Sequence, residues 1–277
     1  MKLQPANVLS GTVKYLSLIL GCLVALIPLV VIFIASFKNE NEFYNTPIYS
    51  LPGSLNLQNF ADAFTGGQML QGFLNTTIIL VISCAGTIII GSMTAYVLSR
   101  FNFRFNSVIS SLFLLAALIP TVSTNVATFQ IINFFHLFNT MGSNIILFLG
   151  TDVISIYIFL QFLNGIPKDL DEAALIDGAS FFQIYRTVIL PLLTPAIATV
   201  LIIKAVAIYN DFYTPFLYMP KKSLGVISTS LFRFIGPYNA HWEVICAGVV
   251  ITIIPTLIVF LFLQKYIYNG LIQGSVK

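Results

Sequence analysis

Acidic side chains are concentrated in one short stretch of an otherwise apolar sequence. The segment from Gly165 to Pro195 reads GIPKDLDEAALIDGASFFQIYRTVILPLLTP and carries four of the ten acidic residues. Charged groups are costly in lipid, so this composition predicts a solvated, structured loop. A small Ala-Ala step flanked by carboxylates is suited to fitting into a groove on another protein. The charged residues of the segment are Asp169, Asp171, Glu172, Asp177, Lys168 and Arg186.

Other residue types that perform chemistry are few and scattered. His136 and His241 lie in separate segments without matching ligands, so no metal site is expected. Cys22, Cys84 and Cys246 each lie in an apolar run with no CxxC spacing, and we interpret them as small core residues. The sequence also lacks a GxxxxGK[ST] phosphate-binding loop. These patterns predict neither an enzyme nor a metalloprotein.

The acidic segment has the local signals of two short helices. Pro167 suits the first turn of a helix whose early acids complement the positive end of its dipole. Gly178 can adopt the left-handed conformation that ends it, after about ten residues. Ser180 followed by Gln183 is a capping-box pattern, which predicts the start of a second helix. Pro191 then marks the entry into the next apolar run.

The rest of the chain has the composition of a membrane protein. Hydrophobic residues make up 57% of it and charged residues 8%, against roughly 25% charged residues in soluble domains. The net charge of +3 is too small and scattered for nucleic-acid binding. We predict one all-α membrane domain covering 1–277, with a core of about 72–266. Six runs have spanning length: 15–37, 72–98, 107–133, 144–164, 191–213 and 244–266.

Basic residues predict the orientation of these spans. Lys and Arg in short loops accumulate on the cytoplasmic side, and placing both termini there gives eight basic residues inside against four outside. The inside set is Lys2, Lys14, Arg100, Arg104, Lys168, Arg186, Lys265 and Lys277, and the outside set is Lys38, Lys221, Lys222 and Arg233. The first run is too long for the apolar part of a signal peptide, and we interpret it as a spanning helix.

The second run contains small residues at every fourth position. These are Ser83, Thr87, Gly91, Ala95 and Ser99, which lie on roughly one side of a helix. Small residues let helices approach closely in lipid, so packing within the bundle is the favoured interpretation. Lining of a translocation pathway is the alternative.

The acidic segment resembles a known family motif. Glu172-Ala173-Ala174, three residues, Gly178, nine residues and then Val188-Ile189-Leu190-Pro191 is similar to the EAA motif of permease subunits of binding-protein-dependent ABC importers, EAA-x3-G-x9-I-x-LP. Only Val188 departs from it, replacing Ile. In that family the loop, here about 165–191, forms coupling helices that dock into the ATP-hydrolysing subunit. The residues that the resemblance assigns to coupling are Glu172, Ala173, Ala174, Asp177, Gly178, Leu190 and Pro191.

The resemblance extends towards the C-terminus. Segments 209–212, 241–248, 253–255 and 260–277 are similar to the corresponding parts of maltose-type carbohydrate permeases, and the chain resembles their six-span partner. It implies a type I ABC importer permease fold in the bacterial cytoplasmic membrane. It also implies a homologous second permease, an ATPase dimer that binds ATP and Mg²⁺, an external solute-binding protein and a sugar, for which an α-galactoside or α-glucoside is our interpretation. No cofactor is expected on this chain.

Charged and polar residues near the spans leave alternatives open. For Lys204, snorkelling or pairing with the partner subunit is favoured over a substrate contact. Asp152, Asp211 and Glu243 are the other charged residues at membrane depth or its edge. Polar and aromatic side chains that could hydrogen-bond sugar hydroxyls are Tyr209, Asn210, Asp211 and Tyr213.

Two other functional classes remain as alternatives. An ion-coupled secondary transporter would need intramembrane carboxylates and often has inverted repeats. A membrane-embedded enzyme would need clustered His, Asp or Glu at membrane depth. The sequence favours neither.

Overall fold

The structure is a computed structural model that describes residues 5–150, 152–236 and 240–275. It is 78% helical and, within those ranges, contains no β-strand. An isolated bridge joins Ile235 and Ala240. The predicted all-α class is confirmed. Lys2 and Lys277, used above to predict orientation, lie outside the described residues, as does Val276 of the C-terminal resemblance.

The helices range from single turns to lengths that could cross a bilayer. Three segments have other helical geometry: a π-helix at Tyr185–Ile189 and 3₁₀ turns at Lys222–Leu224 and Leu231–Phe234. The α-helices are α1 (Pro5–Ala35), α2 (Glu40–Asn45), α3 (Gln58–Gly66), α4 (Met69–Arg100), α5 (Asn106–Leu118), α6 (Thr121–Phe134), α7 (Met141–Leu149), α8 (Val153–Asn164), α9 (Asp169–Ile176), α10 (Phe181–Ile184), α11 (Leu190–Leu192), α12 (Thr194–Asn210), α13 (Tyr213–Tyr218), α14 (Ile227–Ser230) and α15 (Trp242–Ser275).

Four helical segments of the described chain have the length and apolarity to cross a membrane, and the number is six if each of two bent pairs counts as one span. The prediction of six spans agrees with the second count. The four segments are Val13–Ala35, Met69–Arg100, Met141–Asn164 and Trp242–Phe262, and the bent pairs are Asn106–Leu118 with Ser123–Phe134 and Phe181–Leu192 with Thr194–Asn210.

The third predicted span, 107–133, is not one continuous helix. Its two halves meet at an angle of 106°. Pro120 separates them: it has no N–H to donate into a helix, and it forces the preceding Ile119 into an extended conformation (ψ 119°). The continuous span predicted from hydropathy was therefore wrong at this position.

The fifth predicted span, 191–213, begins and ends differently in the structure. The helix that precedes it bends by 74° into α12, which begins at Thr194 with Pro195 in its first turn. At the other end, Asp211 is extended and terminates α12 at Asn210. The 17-residue α12 is thus shorter than the span predicted from apolar composition.

The chain divides into two compact units. One consists of Met1–Leu70 with Ser230–Ile258, and the other of Gln71–Thr229 with Val259–Lys277. The prediction of a single membrane domain over 1–277 is not tested by this division and stays a prediction.

The first unit contains a lysine that is fully buried. Lys38 is 0% exposed. Its Nζ donates three hydrogen bonds, to Thr46 Oγ1 at 3.0 Å, the Pro47 carbonyl at 2.6 Å and Ser50 Oγ at 2.9 Å. An ammonium has three N–H donors, so all of them are used. Lys38 therefore stabilises the segment that follows α2 and is not a free surface charge.

The second unit has an apolar core where α4, α8, α12 and the segment before α12 pack together. The fully buried residues of this core include Phe159, Leu163, Ile189 and Leu193. The small-residue stripe of α4 contributes to this unit: Ser83, Thr87, Gly91 and Ala95 are all buried. The packing interpretation of the stripe is the one that the structure supports.

Gly91 provides a test of that packing. A Cβ at this position would lie 3.3 Å from the Phe159 ring and 3.8 Å from Ser155 Cβ. Gly91→Leu is therefore expected to destabilise the bundle, by about 1–3 kcal/mol for an overpacked site. The matched control is Gly21→Leu in α1, where nothing lies within 4 Å. Thermal unfolding in detergent is the measurement, and equal midpoints for the two variants would contradict close packing at Gly91.

Candidate functional site

The first short helix of the acidic loop is α9. It runs from Asp169 to Ile176, so it has eight residues and not the ten predicted. Pro167 lies outside it, because the first helical hydrogen bonds go to the Lys168 carbonyl, from Asp171 N at 2.9 Å and Glu172 N at 3.2 Å. The acidic first turn complements the helix dipole as expected.

Gly178 ends α9 through its backbone conformation. Its φ is +84°, in the left-handed region that favours glycine. The Gly178 N–H donates to the Leu175 carbonyl and the Ala179 N–H to the Ala174 carbonyl, each at 3.0 Å. This pair of bonds is the Schellman motif. The predicted role of Gly178 as a helix stop is therefore observed.

The second short helix begins at the predicted capping box. Ser180 Oγ accepts from Gln183 N at 3.3 Å, and Gln183 Oε1 accepts from Ser180 N at 2.7 Å. The helix continues through the π-helical segment Tyr185–Ile189, where the Leu190 N–H bonds back to the Tyr185 carbonyl. It ends at Leu192, before the bend into α12.

The acids of α9 differ in exposure. Glu172 and Asp177 are exposed with Ala173, whereas Ala174 is partly buried and Asp171 is buried. The exposed surface also carries unusually large apolar side chains, of which Ile176 is 86% exposed. The others are Leu170, Leu175, Phe181 and Phe182. Exposed apolar side chains beside exposed carboxylates have the character of a protein-binding site.

Asp171 is tied to the end of α4. Its Oδ2 lies 3.0 Å from Arg100 Nε, and the two side chains are only 12% and 7% exposed. The contact is an ion pair without aligned hydrogen-bond geometry. Tyr96 OH donates to Asp171 Oδ1 at 3.3 Å. Arg100 also donates to the Leu163 and Ile166 carbonyls at the end of α8.

The second short helix packs on the same part of α4. The hydroxyls of Tyr185 and Ser92 are 2.8 Å apart. The Phe181 and Phe101 rings meet edge to face with centroids 4.9 Å apart. Both short helices are therefore held against the last turns of α4 in addition to their covalent links to α8 and α12.

The predicted substrate-pathway residues mostly have structural partners. Asp211 Oδ2 accepts from Thr214 Oγ1 at 2.6 Å and Asp211 Oδ1 from Thr214 N at 3.0 Å, so this carboxylate caps α13. Asn210 donates to the Val206 carbonyl of its own helix at 3.0 Å. Tyr213 OH accepts from Asn125 at 3.1 Å.

Lys204 has its partner within the chain. Its Nζ lies 2.8 Å from Asp152 Oδ2, and the side chains are 15% and 18% exposed. Asp152 Oδ1 also accepts from Ser155 N at 3.2 Å and so caps α8. The prediction of snorkelling or pairing with a partner subunit was therefore wrong, because the nearest counter-ion lies 52 residues earlier in the same sequence.

Metal-binding geometry is not found among the described residues, where no three His, Cys, Asp or Glu side chains come together. Glu243 is buried, and its Oε1 lies 3.3 Å from His241 Nδ1. The pairing of Arg100 with Asp171 was not among the predictions from the sequence. One local signal pointed to it. Asp171 is one of three acids in the first turn of α9, and three side chains in one turn cannot all point to the same side of the helix.

Comparison with known proteins identifies the chain. Residues 87–273 match the family model described as the inner membrane component of binding-protein-dependent transport systems. A probable permease protein for starch degradation products from Thermoanaerobacterium thermosulfurigenes is 35% identical over 95% of this chain and 97% of that protein. The chain belongs to this family of inner-membrane transport components.

Two further similar proteins extend the comparison. The melibiose/raffinose/stachyose import permease of Bacillus subtilis is 29% identical over 91% of each chain. In a crystal structure of a bacterial ABC transporter involved in the import of the acidic polysaccharide alginate, one chain superposes with a TM-score of 0.85 at 20% identity, over 96% of this chain and 99% of that one. This family member therefore has the fold of an ABC importer permease, and it is a multi-pass membrane protein.

Proposed function

We propose that this chain is one of two membrane-spanning permease subunits of an ATP-driven importer for a carbohydrate. The second subunit is a homologous permease, and an external solute-binding protein delivers the sugar. Two ATPase subunits bind ATP and Mg²⁺ and perform the hydrolysis. This chain binds no cofactor of its own, and it couples the ATPase cycle to movement of the membrane helices.

The observation that carries the proposal is the folded acidic loop. Glu172, Ala173, Asp177 and Gly178 lie exposed on one short helix and its cap, beside the exposed Ile176. An exposed apolar surface with a small-residue step and peripheral carboxylates suits a cleft on another protein. Ala174 is partly buried, and Leu190 and Pro191 lie further along the chain. In this proposal these three residues maintain the shape of the loop.

The loop faces the cytoplasm in this proposal. Both termini are cytoplasmic, and the chain lies in the bacterial cytoplasmic membrane, as the distribution of basic residues favours. Lys38 does not count as a free external charge, because its ammonium is buried with three acceptors. Arg100, counted on the internal side, is likewise engaged in an ion pair, so the excess of basic residues stays on the cytoplasmic side in this proposal.

The sugar class is an α-glucoside or α-galactoside oligosaccharide. Two relatives support it, since one is described as a permease for starch degradation products and another imports melibiose, raffinose and stachyose. In this chain Tyr209, Asn210, Asp211 and Tyr213 are proposed to contact the pathway. The Tyr213 ring is 54% exposed and offers an aromatic face, whereas Asp211 is already engaged with Thr214.

Charge reversal at Glu172 tests coupling. Glu172→Lys and Gly178→Asp are expected to detach the ATPase subunits from the reconstituted complex or to remove stimulation of ATP hydrolysis by sugar, at least tenfold. The first change places a cation in the proposed docking face. Gly178→Asp places a Cβ at a residue whose backbone is left-handed, which costs about 1–2 kcal/mol. Co-purification and ATPase assays with maltotriose and raffinose are the measurements.

The matched control is Asp169→Lys, which makes the same charge change at an exposed site of the same helical turn. It is expected to preserve both association and stimulation. If Glu172→Lys and Gly178→Asp transport sugar at the wild-type rate, the loop is not the coupling element. Transport driven by an ion gradient without ATPase subunits would instead favour an ion-coupled carrier.

A further inference from the structure

We propose that Arg100 and Asp171 form the joint through which the acidic loop moves the second membrane helix, α4. We call the group Arg100, Asp171 and Tyr96 the clasp. Arg100 and Asp171 are positioning residues: they contact neither ATP nor sugar but determine whether α4 follows the loop. The inference rests on the proposed function, because it concerns how motion of the coupling loop is passed on.

The loop continues directly from α8 and into α12, so those two helices are linked to it through the backbone. Helix α4 ends at Arg100, 65 residues before the loop begins at Gly165, and reaches it only through side-chain contacts. Whatever moves α4 with the loop must therefore be non-covalent.

The clasp is the contact that α4 makes with α9 itself. The hydroxyl pair of Ser92 with Tyr185 and the edge-to-face pair of Phe101 with Phe181 join α4 and the residue after it to the second short helix instead. The ion pair of Arg100 with Asp171 is nearly buried, and charges attract more strongly where water is excluded. Tyr96 adds a hydrogen bond to the second carboxylate oxygen. The clasp therefore resists separation of α9 from the end of α4.

Arg100 joins three elements at one guanidinium. It is the last residue of α4, it faces Asp171 of α9, and it donates to the Ile166 carbonyl at 3.0 Å and the Leu163 carbonyl at 3.5 Å. Those carbonyls lie at and just beyond the end of α8, and the Leu163 carbonyl also accepts from the Ile166 N–H at 3.1 Å. Displacement of α9 thus acts on the ends of α4 and α8 together.

Asp171→Asn separates this role from docking. It removes the charge but keeps the size of the side chain, at a residue that is buried and not on the exposed face of α9. In the reconstituted complex we expect the ATPase subunits to co-purify and basal hydrolysis to stay within twofold of wild type. Stimulation by the sugar that activates the wild type is expected to fall at least fivefold. Asp171→Glu, which keeps the carboxylate, should recover part of the loss.

The matched control is Asp169→Asn, which neutralises an exposed acid two residues away in the same helical turn. It should behave as wild type. Tyr96→Phe removes a single hydrogen bond and is the second variant, for use if Asp171→Asn is not recovered from membranes. It should reduce stimulation about twofold with unchanged association.

A distance measurement gives a readout that a purely structural role would not produce. Spin labels at Lys168→Cys and Val97→Cys, both exposed, report on α9 and α4 in a chain whose native cysteines are replaced by serine. In the otherwise wild-type complex the distance distribution should stay narrow with and without ATP and vanadate. With Asp171→Asn it should broaden or shift in the ATP state, and with Asp169→Asn it should not.

Three outcomes are distinguishable. A narrow distribution and full stimulation in Asp171→Asn overturn the clasp and leave the proposed function intact. Loss of ATPase association in Asp171→Asn, as expected for Glu172→Lys, also overturns it, because Asp171 would then belong to the docking face. Failure of the wild-type chain to associate with ATPase subunits contradicts the proposed function itself.

Discussion

Asp152→Asn is expected to reduce stability sharply, because it leaves the Lys204 ammonium without its counter-ion. The two groups are 2.8 Å apart and less than a fifth exposed. Breaking a fully buried ion pair by removing one partner costs about 3–5 kcal/mol, and this partly buried pair should lose somewhat less. Asparagine keeps an oxygen that can accept from Ser155 N, so the cap of α8 survives and the loss reports the charge. Lys204→Met should cause a similar loss of stability, because it leaves the Asp152 carboxylate without its cation.

The double variant Asp152→Asn/Lys204→Met is the decisive control. Replacing both charges of a buried pair is often neutral or stabilising, so the double variant should be more stable than either single variant. Thermal unfolding in detergent and the amount of protein recovered from membranes measure the effect. If the two single losses simply add in the double variant, the pair does not interact as the structure describes.

Lys38→Met is expected to loosen the segment that follows α2. Methionine keeps most of the length of the side chain but removes three donors, leaving Thr46, Pro47 and Ser50 without the cation they share. Hydrogen bonds to charged groups contribute about 1.5–3 kcal/mol each, and relief from burying the ammonium offsets part of that sum. We expect a lower unfolding midpoint and faster proteolysis between residues 38 and 57.

Lys221→Met is the control for Lys38, since it removes a cation from an exposed lysine. It should leave both readouts unchanged. Limited proteolysis of right-side-out vesicles, with the fragments mapped by mass spectrometry, identifies the segment that opens. Equal cleavage of the two variants would mean that the buried ammonium does not hold this segment.

Local signals predicted the acidic loop well because the relevant interactions are close in sequence. The stop at Gly178 and the box of Ser180 with Gln183 depend on backbone groups within five residues. Hydropathy likewise identified the apolar runs, since spanning length is a property of a contiguous segment. Proline was a less reliable signal. Pro120 separates two helices, whereas Pro28 and Pro255 lie inside α1 and α15.

Pairings between distant residues could not be predicted in the same way. Asp171 is buried and Asp169 exposed although both are acids in one turn, because the choice depends on where Arg100 lies in space. The partner of Lys204 was also hidden, since nothing in the local sequence links it to Asp152. Both cases require the packing of helices that are far apart along the chain.

The π-helical segment Tyr185–Ile189 has a consequence for sequence length. Each residue in an α-helix advances the direction of its side chains by about 100°, and a π turn accommodates one more residue than an α turn. An inserted residue between Gly178 and Val188 would therefore turn Phe181 and Phe182 to a different side relative to α12, whereas a deletion within Tyr185–Ile189 can be absorbed when the π turn becomes an α turn. Natural variation in this nine-residue interval should therefore consist of substitutions and single deletions, and insertions should be selected against.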